Sequence, residues 1–244
     1  MAAVLTPNSL VPERWHRRHA GLVRITHWIN AFCFTLLLMS GLQIFNAHPA
    51  LYVGQTSDFS RPILSLHAFP SWITLPSYQD LATGRRWHFF FAWLLVLNGL
   101  VYLGWGFARR HFGRHLLPRR VELRQIWREV LDHLRLRFPR GDAAKRYNVL
   151  QQLTYLLVVF GLFPLMILTG LTMSPAVDSA VPQLVTIFGG RQTARLIHFA
   201  GASGFVLFVL VHLVLVLVSG VWNNLRSMVT GWYDLYNGRT THGS

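Results

Sequence analysis

The chain has 244 residues, 52% of them apolar and only 13% charged, well below the roughly one-quarter charged content of soluble domains, and this places it in the membrane class. Its net charge of +14 comes almost wholly from arginine, Lys145 being the only lysine. Cys33 is the only cysteine and lies in an apolar run, which excludes an intrachain disulfide, a cysteine-ligated iron–sulfur cluster and a C-x-x-C-H attachment site.

No apolar stretch precedes the first basic cluster, Arg14, Arg17 and Arg18, so the N-terminal segment does not read as a cleavable signal peptide. Four stretches, 23–45, 87–107, 150–173 and 196–218, are each apolar over the ~20 residues that a helix needs to cross a hydrocarbon core. Alternating-strand signatures are absent, which argues against a membrane β-barrel. The expectation is a single all-α domain over 1–244, an integral membrane four-helix bundle. Pro164 falls inside the third span and predicts a kink there.

The connections differ in charge. The loop after the first span is about 40 residues long, more than a connector requires, and holds Pro49, Pro62, Pro70 and Pro76 with Tyr52, Trp72 and Tyr78. Anchoring in the membrane interface and docking of an external partner both remain open for it. The segment between spans two and three carries twelve basic residues against four acids. Within it Leu123, Ile126, Trp127, Val130, Leu131, Leu134 and Phe138 recur at helical spacing between Arg124, Arg128 and Arg135. That pattern predicts an interfacial amphipathic helix, either a strap on lipid or a partner site. The positive-inside bias places both termini and this segment in the cytoplasm. The arginines thus mark topology, not nucleic-acid binding.

Twelve histidines are present, and four of them, His27, His88, His198 and His212, fall within the spans, where an ionisable side chain is costly and normally functional. His198 and His212 are fourteen residues apart, which returns them to within about 40° of each other on one helix face and separates them by about 21 Å along the axis. With the topology above, His88 meets His198 at the outer level and His27 meets His212 at the inner level. Two imidazoles from different helices at each level suit the two axial positions of a haem iron, hence two haem b groups and electron transfer. The 21 Å split rules out a single mononuclear zinc site. Gly201, Ala202 and Phe205 lie between the helix-four histidines, small enough in part to admit a macrocycle or to pack helices closely. Arg24, Arg85 and Arg195 each stand three residues before one of the four histidines, where a guanidinium would meet a haem propionate or simply mark a helix end.

The runs VRITHWINAFCFTLLLMSGL, GRRWHFFFAWLLVLNGL and RLIHFAGASGFVLFVLVHL resemble the two-haem cytochrome b subunits of membrane-bound formate dehydrogenases and nickel–iron hydrogenases, in the bacterial cytochrome b561-like superfamily. The resemblance covers all four spans. It implies residence in the bacterial inner membrane, His88 and His198 on an outer haem and His27 and His212 on an inner one. It further implies a periplasmic redox enzyme as electron donor and a quinone reduced near the cytoplasmic face. The stretch QQLTYLLVVFGLFPLMILTGLTMSP also looks like cytochromes that accompany molybdenum-cofactor oxidoreductases. For the quinone, Asn30, Asn148, Gln151 and Gln152 are the polar residues near the inner level, where they would bind it or solvate helix ends. A stand-alone quinol-linked oxidoreductase acting on a small oxidant such as superoxide is the competing expectation. Lipid is the other expected partner, and the oligomeric state stays open.

Overall fold

The structure, a computed structural model, describes residues 15–109, 126–127, 130–131 and 149–234. Four helices are long and apolar enough to cross a membrane: α1 (Gly21–Asn46), α2 (Leu81–Ala108), α3 (Val149–Thr172) and α6 (Arg191–Val218). Two short helices, α4 (Pro175–Ala180) and α5 (Gln183–Ile187), fill the connection from α3 to α6. The α7 helix (Val221–Thr230) follows α6. Each span agrees with the expected stretch, but α2 and α6 begin earlier than hydropathy alone places them. Asp80 caps α2, its carboxylate accepting from the Thr83 N–H at 3.0 Å and the Thr83 hydroxyl at 2.6 Å. The first two turns of α2 and α6 therefore carry Arg85, Arg86, Arg191 and Arg195.

Pro164 does disturb α3. Residues Leu157–Leu162 form a π segment, with the Phe163 N–H reaching back to the Val158 carbonyl. A proline ring clashes with the carbonyl four residues earlier and donates nothing, and a wider turn just before it relieves both problems.

Helix α1 packs along α2, and α3 along α6, making two layers. Between the layers few backbone atoms approach; ring side chains meet instead. Polar anchors tie α1 to α2: buried Asn98 donates to the Thr26 carbonyl at 2.9 Å and to Asn30 Oδ1 at 2.7 Å, and buried Gln43 donates to the Tyr78 carbonyl at 2.7 Å. In an apolar surround such bonds hold register, because breaking one strands a buried amide.

Both described chain ends lie at one end of the bundle. There β1 (Trp15–Arg17) pairs antiparallel with β4 (Trp232–Asp234), His16 facing Tyr233. Asn223 of α7 receives the Asp234 N–H at 2.9 Å and donates to the Asp234 carbonyl at 2.8 Å. Arg226 lies 4.5 Å over the Trp15 ring and Arg18 4.7 Å over Tyr233. Beside this clasp α7 exposes an apolar edge at Trp222, Leu225 and Val229, an amphipathic helix that the sequence reading did not foresee. The amphipathic helix expected over 123–138 lies largely outside the described residues; Ile126, Trp127, Val130 and Leu131 are helical, with Trp127 and Leu131 exposed.

His19 sits in the clasp, its carbonyl against Gly231. Burial, then the Arg18 guanidinium, then His27 and Arg24, push its imidazole down from 6.5 to about 4. The unfolded chain therefore binds this proton first. Stability is full above pH 6.5, falls as pH drops from 6.5 towards 4, and levels off below that. We expect the detergent-solubilised chain to lose thermal midpoint between pH 7 and 5, and His19→Gln to flatten that slope; equal slopes would refute it.

At the opposite end the long loop folds back on α6. Its strands β2 (Ala50–Leu51) and β3 (Leu64–Ser65) pair antiparallel, and Asn46 brackets the Phe69 backbone. The Gly54 carbonyl accepts from the Gln192 and Thr193 N–H groups at 3.0 and 3.3 Å, capping α6 from outside its own sequence.

Candidate functional site

The four intramembrane histidines meet in two pairs. His27 of α1 faces His212 of α6 at the clasp end, and His88 of α2 faces His198 of α6 at the loop end. In each pair the ring centroids are 6.3 Å apart with 62° between planes. Imidazoles at hydrogen-bonding distance would be closer. A metal held trans between two imidazoles, ~2 Å from each nitrogen, spaces the ring centres by about 6.2–6.4 Å. Among the described residues no group of three or more His, Cys, Asp or Glu could hold a metal. Each pair thus offers two ligands only, which suits an iron that arrives with its other four nitrogens in a macrocycle.

The space between the layers is ordered by a seven-residue repeat. His27, Phe34 and Gly41 mark one face of α1, and His198, Phe205 and His212 one face of α6. Phe205, buried, touches Phe34 at 6.0 Å and Phe163 of α3 at 5.0 Å between ring centroids, midway between the histidine levels. At the loop end Phe45 stacks on Phe199 at 4.8 Å, closing the column.

Sequence reasoning gave α3 no histidine and no part in holding the imidazoles, yet α3 does support one of them. The His198 Nδ1 lies 2.9 Å from the Thr169 hydroxyl, and His88 Nδ1 lies 3.1 Å from the Ser40 hydroxyl. Each hydroxyl donates its own proton one turn back, Thr169 to the Leu165 carbonyl at 2.7 Å and Ser40 to the Leu36 carbonyl at 2.6 Å. What remains for the ring is an acceptor, so Nδ1 carries the hydrogen and Nε2 is a free lone pair. The residue after each hydroxyl is glycine. A Cβ at Gly41 would stand 3.4 Å from His88 Cε1, and one at Gly170 3.4 Å from His198 Cε1, so each imidazole is seated on a bare backbone. The signal was present as a repeated tripeptide, Ser40-Gly41-Leu42 and Thr169-Gly170-Leu171.

Gly201 takes the packing alternative: a Cβ there would fall 2.8 Å from Met166 Sδ, so this glycine admits α3. Arg24 packs against Gly231 with its Nε buried and unpartnered among the described residues. Arg85 is exposed beside Phe89, 5.6 Å from the ring centre. Arg195 donates to the Ala50 carbonyl at 2.9 Å and to the His48 carbonyl, pinning the long loop to α6. Asn30 is engaged by Asn98, Gln151 and Gln152 lie in the first turn of α3, and Asn148 is outside the described residues.

Four apolar spans with imidazoles facing across the bundle define a membrane cytochrome of the b type. Residues 18–231 match the family model for prokaryotic cytochrome b561, and the chain belongs to that family. It is 32% identical over 213 residues, 87% of this chain and 96% of the relative, to the "Putative protein-methionine-sulfoxide reductase subunit YedZ1" of Azospira oryzae. It is 27% identical to the "Probable Ni/Fe-hydrogenase B-type cytochrome subunit" of Bradyrhizobium diazoefficiens, covering 86% of this chain and 82% of that one. The protein of the same description from Cupriavidus necator is 25% identical, over 86% of this chain and 83% of that one. The family implies haem b, and the two histidine pairs fit it in spacing and ligand number, the His88–His198 pair also in tautomer.

Proposed function

We propose that this chain is the di-haem membrane subunit of a redox complex, carrying electrons between an enzyme at the loop end and a quinone near the clasp end. The observation that carries the reading is the equal 6.3 Å spacing of two imidazole pairs at two heights in one bundle. His88 and His198 would hold one haem b and His27 and His212 the other. Bound there, haem would supply a one-electron ferric–ferrous couple, and two imidazole ligands at each level would favour electron transfer over gas binding. Arg24, with a buried Nε that lacks an acceptor among the described residues, and Arg85 would meet propionates; two donors of Arg195 are already given to the loop.

The arginine distribution supports a cytoplasmic clasp end and a periplasmic loop end, in the inner membrane of a bacterium. The relatives described as subunits of a protein-methionine-sulfoxide reductase and of a Ni/Fe hydrogenase support a redox enzyme as partner. Quinone would approach the His27–His212 level from lipid.

A haem assay on the purified chain tests this. The expected result is two haem b per chain, reduced through a partner that copurifies in mild detergent and oxidised by a quinone. One haem or none overturns the assignment. Rapid oxidation of the isolated chain by superoxide, with no copurifying protein, would favour a stand-alone oxidoreductase instead.

A further inference from the structure

The two histidine levels are alike in ring geometry but not in their surroundings. At the loop end, both imidazoles give Nδ1–H to a fully buried hydroxyl, Ser40 from α1 and Thr169 from α3, each at 0% exposure. At the clasp end, among the described residues, His27 and His212 have aromatic neighbours and no hydrogen bond: His27 lies 5.4 Å from Trp28, and His212 stacks on Phe208 at 6.1 Å.

We propose that Ser40 and Thr169 are positioning residues that make the His88–His198 level the lower-potential of the two redox levels, so that electrons run downhill from the loop end to the clasp end. This rests on the ligand assignment above. An N–H held by an acceptor shifts electron density towards the opposite ring nitrogen and makes it the more basic ligand. A more basic axial ligand favours ferric over ferrous iron, which lowers the potential. Among the described residues two such bonds act at one level and none at the other. The hydroxyls are also locked, since each is anchored to its own helix carbonyl and lies beside the glycine on which the ring sits. The direction follows from residues on α1 and α3 that would not touch the iron.

Potentiometric titration of the purified, haem-loaded chain tests the proposal. The waves are assigned by His212→Ala, which would keep only the loop-end haem. For wild type we expect the loop-end wave to be the lower. In Ser40→Ala with Thr169→Val it should rise by about tenfold in the ferric–ferrous ratio, ~59 mV for one electron. The other wave should stay in place and haem content at wild-type level. Each single substitution should give part of that shift, which keeps the test open if the double variant loses haem. Thr169→Ser and Ser40→Thr, which keep the hydroxyl, should restore the wild-type value. Unmoved waves in fully loaded single variants, or equal movement of both waves, would overturn the proposal while leaving the ligand assignment standing. So would a loop-end wave that is the higher one in wild type. A wild-type chain without haem would overturn both.

Discussion

Alanine at position 198 is expected to abolish one haem signal and leave the other, and alanine at 88 to abolish the same one. His27→Ala and His212→Ala are expected to remove the second signal and spare the first. Each single substitution takes haem content from two per chain to one. The reason is the cross-helix pairing. His198 and His212 share α6, yet their partners lie on α2 and α1, at opposite ends of the bundle. Removing one imidazole leaves the other a single bond to iron at an otherwise apolar site, so the pair acts as a unit and its losses do not add. The double variant His88→Ala with His198→Ala should therefore look like either single. Difference spectra on four single and two double variants give the result directly. Were His27→Ala and His88→Ala to remove the same signal, the two-level assignment would be wrong.

Gly190→Val should be among the most damaging substitutions outside the histidines. Its φ of 110° is one that L side chains rarely adopt, and a Cβ there would fall 2.3 Å from both the carbonyl carbon and oxygen of Gly54. That carbonyl caps α6, the Gly54 N–H donates to the Thr193 hydroxyl at 2.8 Å, and the Gln55 side chain accepts from the Arg191 N–H at 3.0 Å. The valine must displace the loop from the helix end, breaking these bonds together and straining the backbone. We expect a loss of about 3 kcal/mol or more. A lower thermal midpoint and faster proteolysis within 47–80 would report it. Gly54→Ala is the control: its φ of 99° carries strain, but nothing lies within 4 Å of its Cβ position. Equal damage from the two substitutions would mean that strain alone, not the close approach, is responsible.

These features differ in how far the chain announced them. The spans were legible because burial in lipid demands an uninterrupted apolar run, and the facing of His27 with His212 and His88 with His198 followed from span direction and fourteen-residue spacing. The starts of α2 and α6 were hidden, since Asp80 and the Gly54 carbonyl set them and neither shows in hydropathy. Thr169 was missed because a threonine in an apolar run usually returns its hydrogen bond to its own helix, as this one also does. Only the neighbouring glycine and the matching tripeptide on α1 set it apart. The β1–β4 clasp joins segments more than 200 residues apart through three-residue strands, too short to leave a periodic trace.

The ring contact of Phe34, Phe163 and Phe205 has an electrical meaning. It sets hydrocarbon midway between two histidine levels that are about 21 Å apart along α6. With haem at both levels, as proposed, electrons would cross this apolar stretch. Each electron then works with or against the voltage across the bilayer, up to ~2.3 kcal/mol per 100 mV for a full crossing. Turnover would therefore speed up or slow down with the energisation of the membrane even at fixed substrate concentrations.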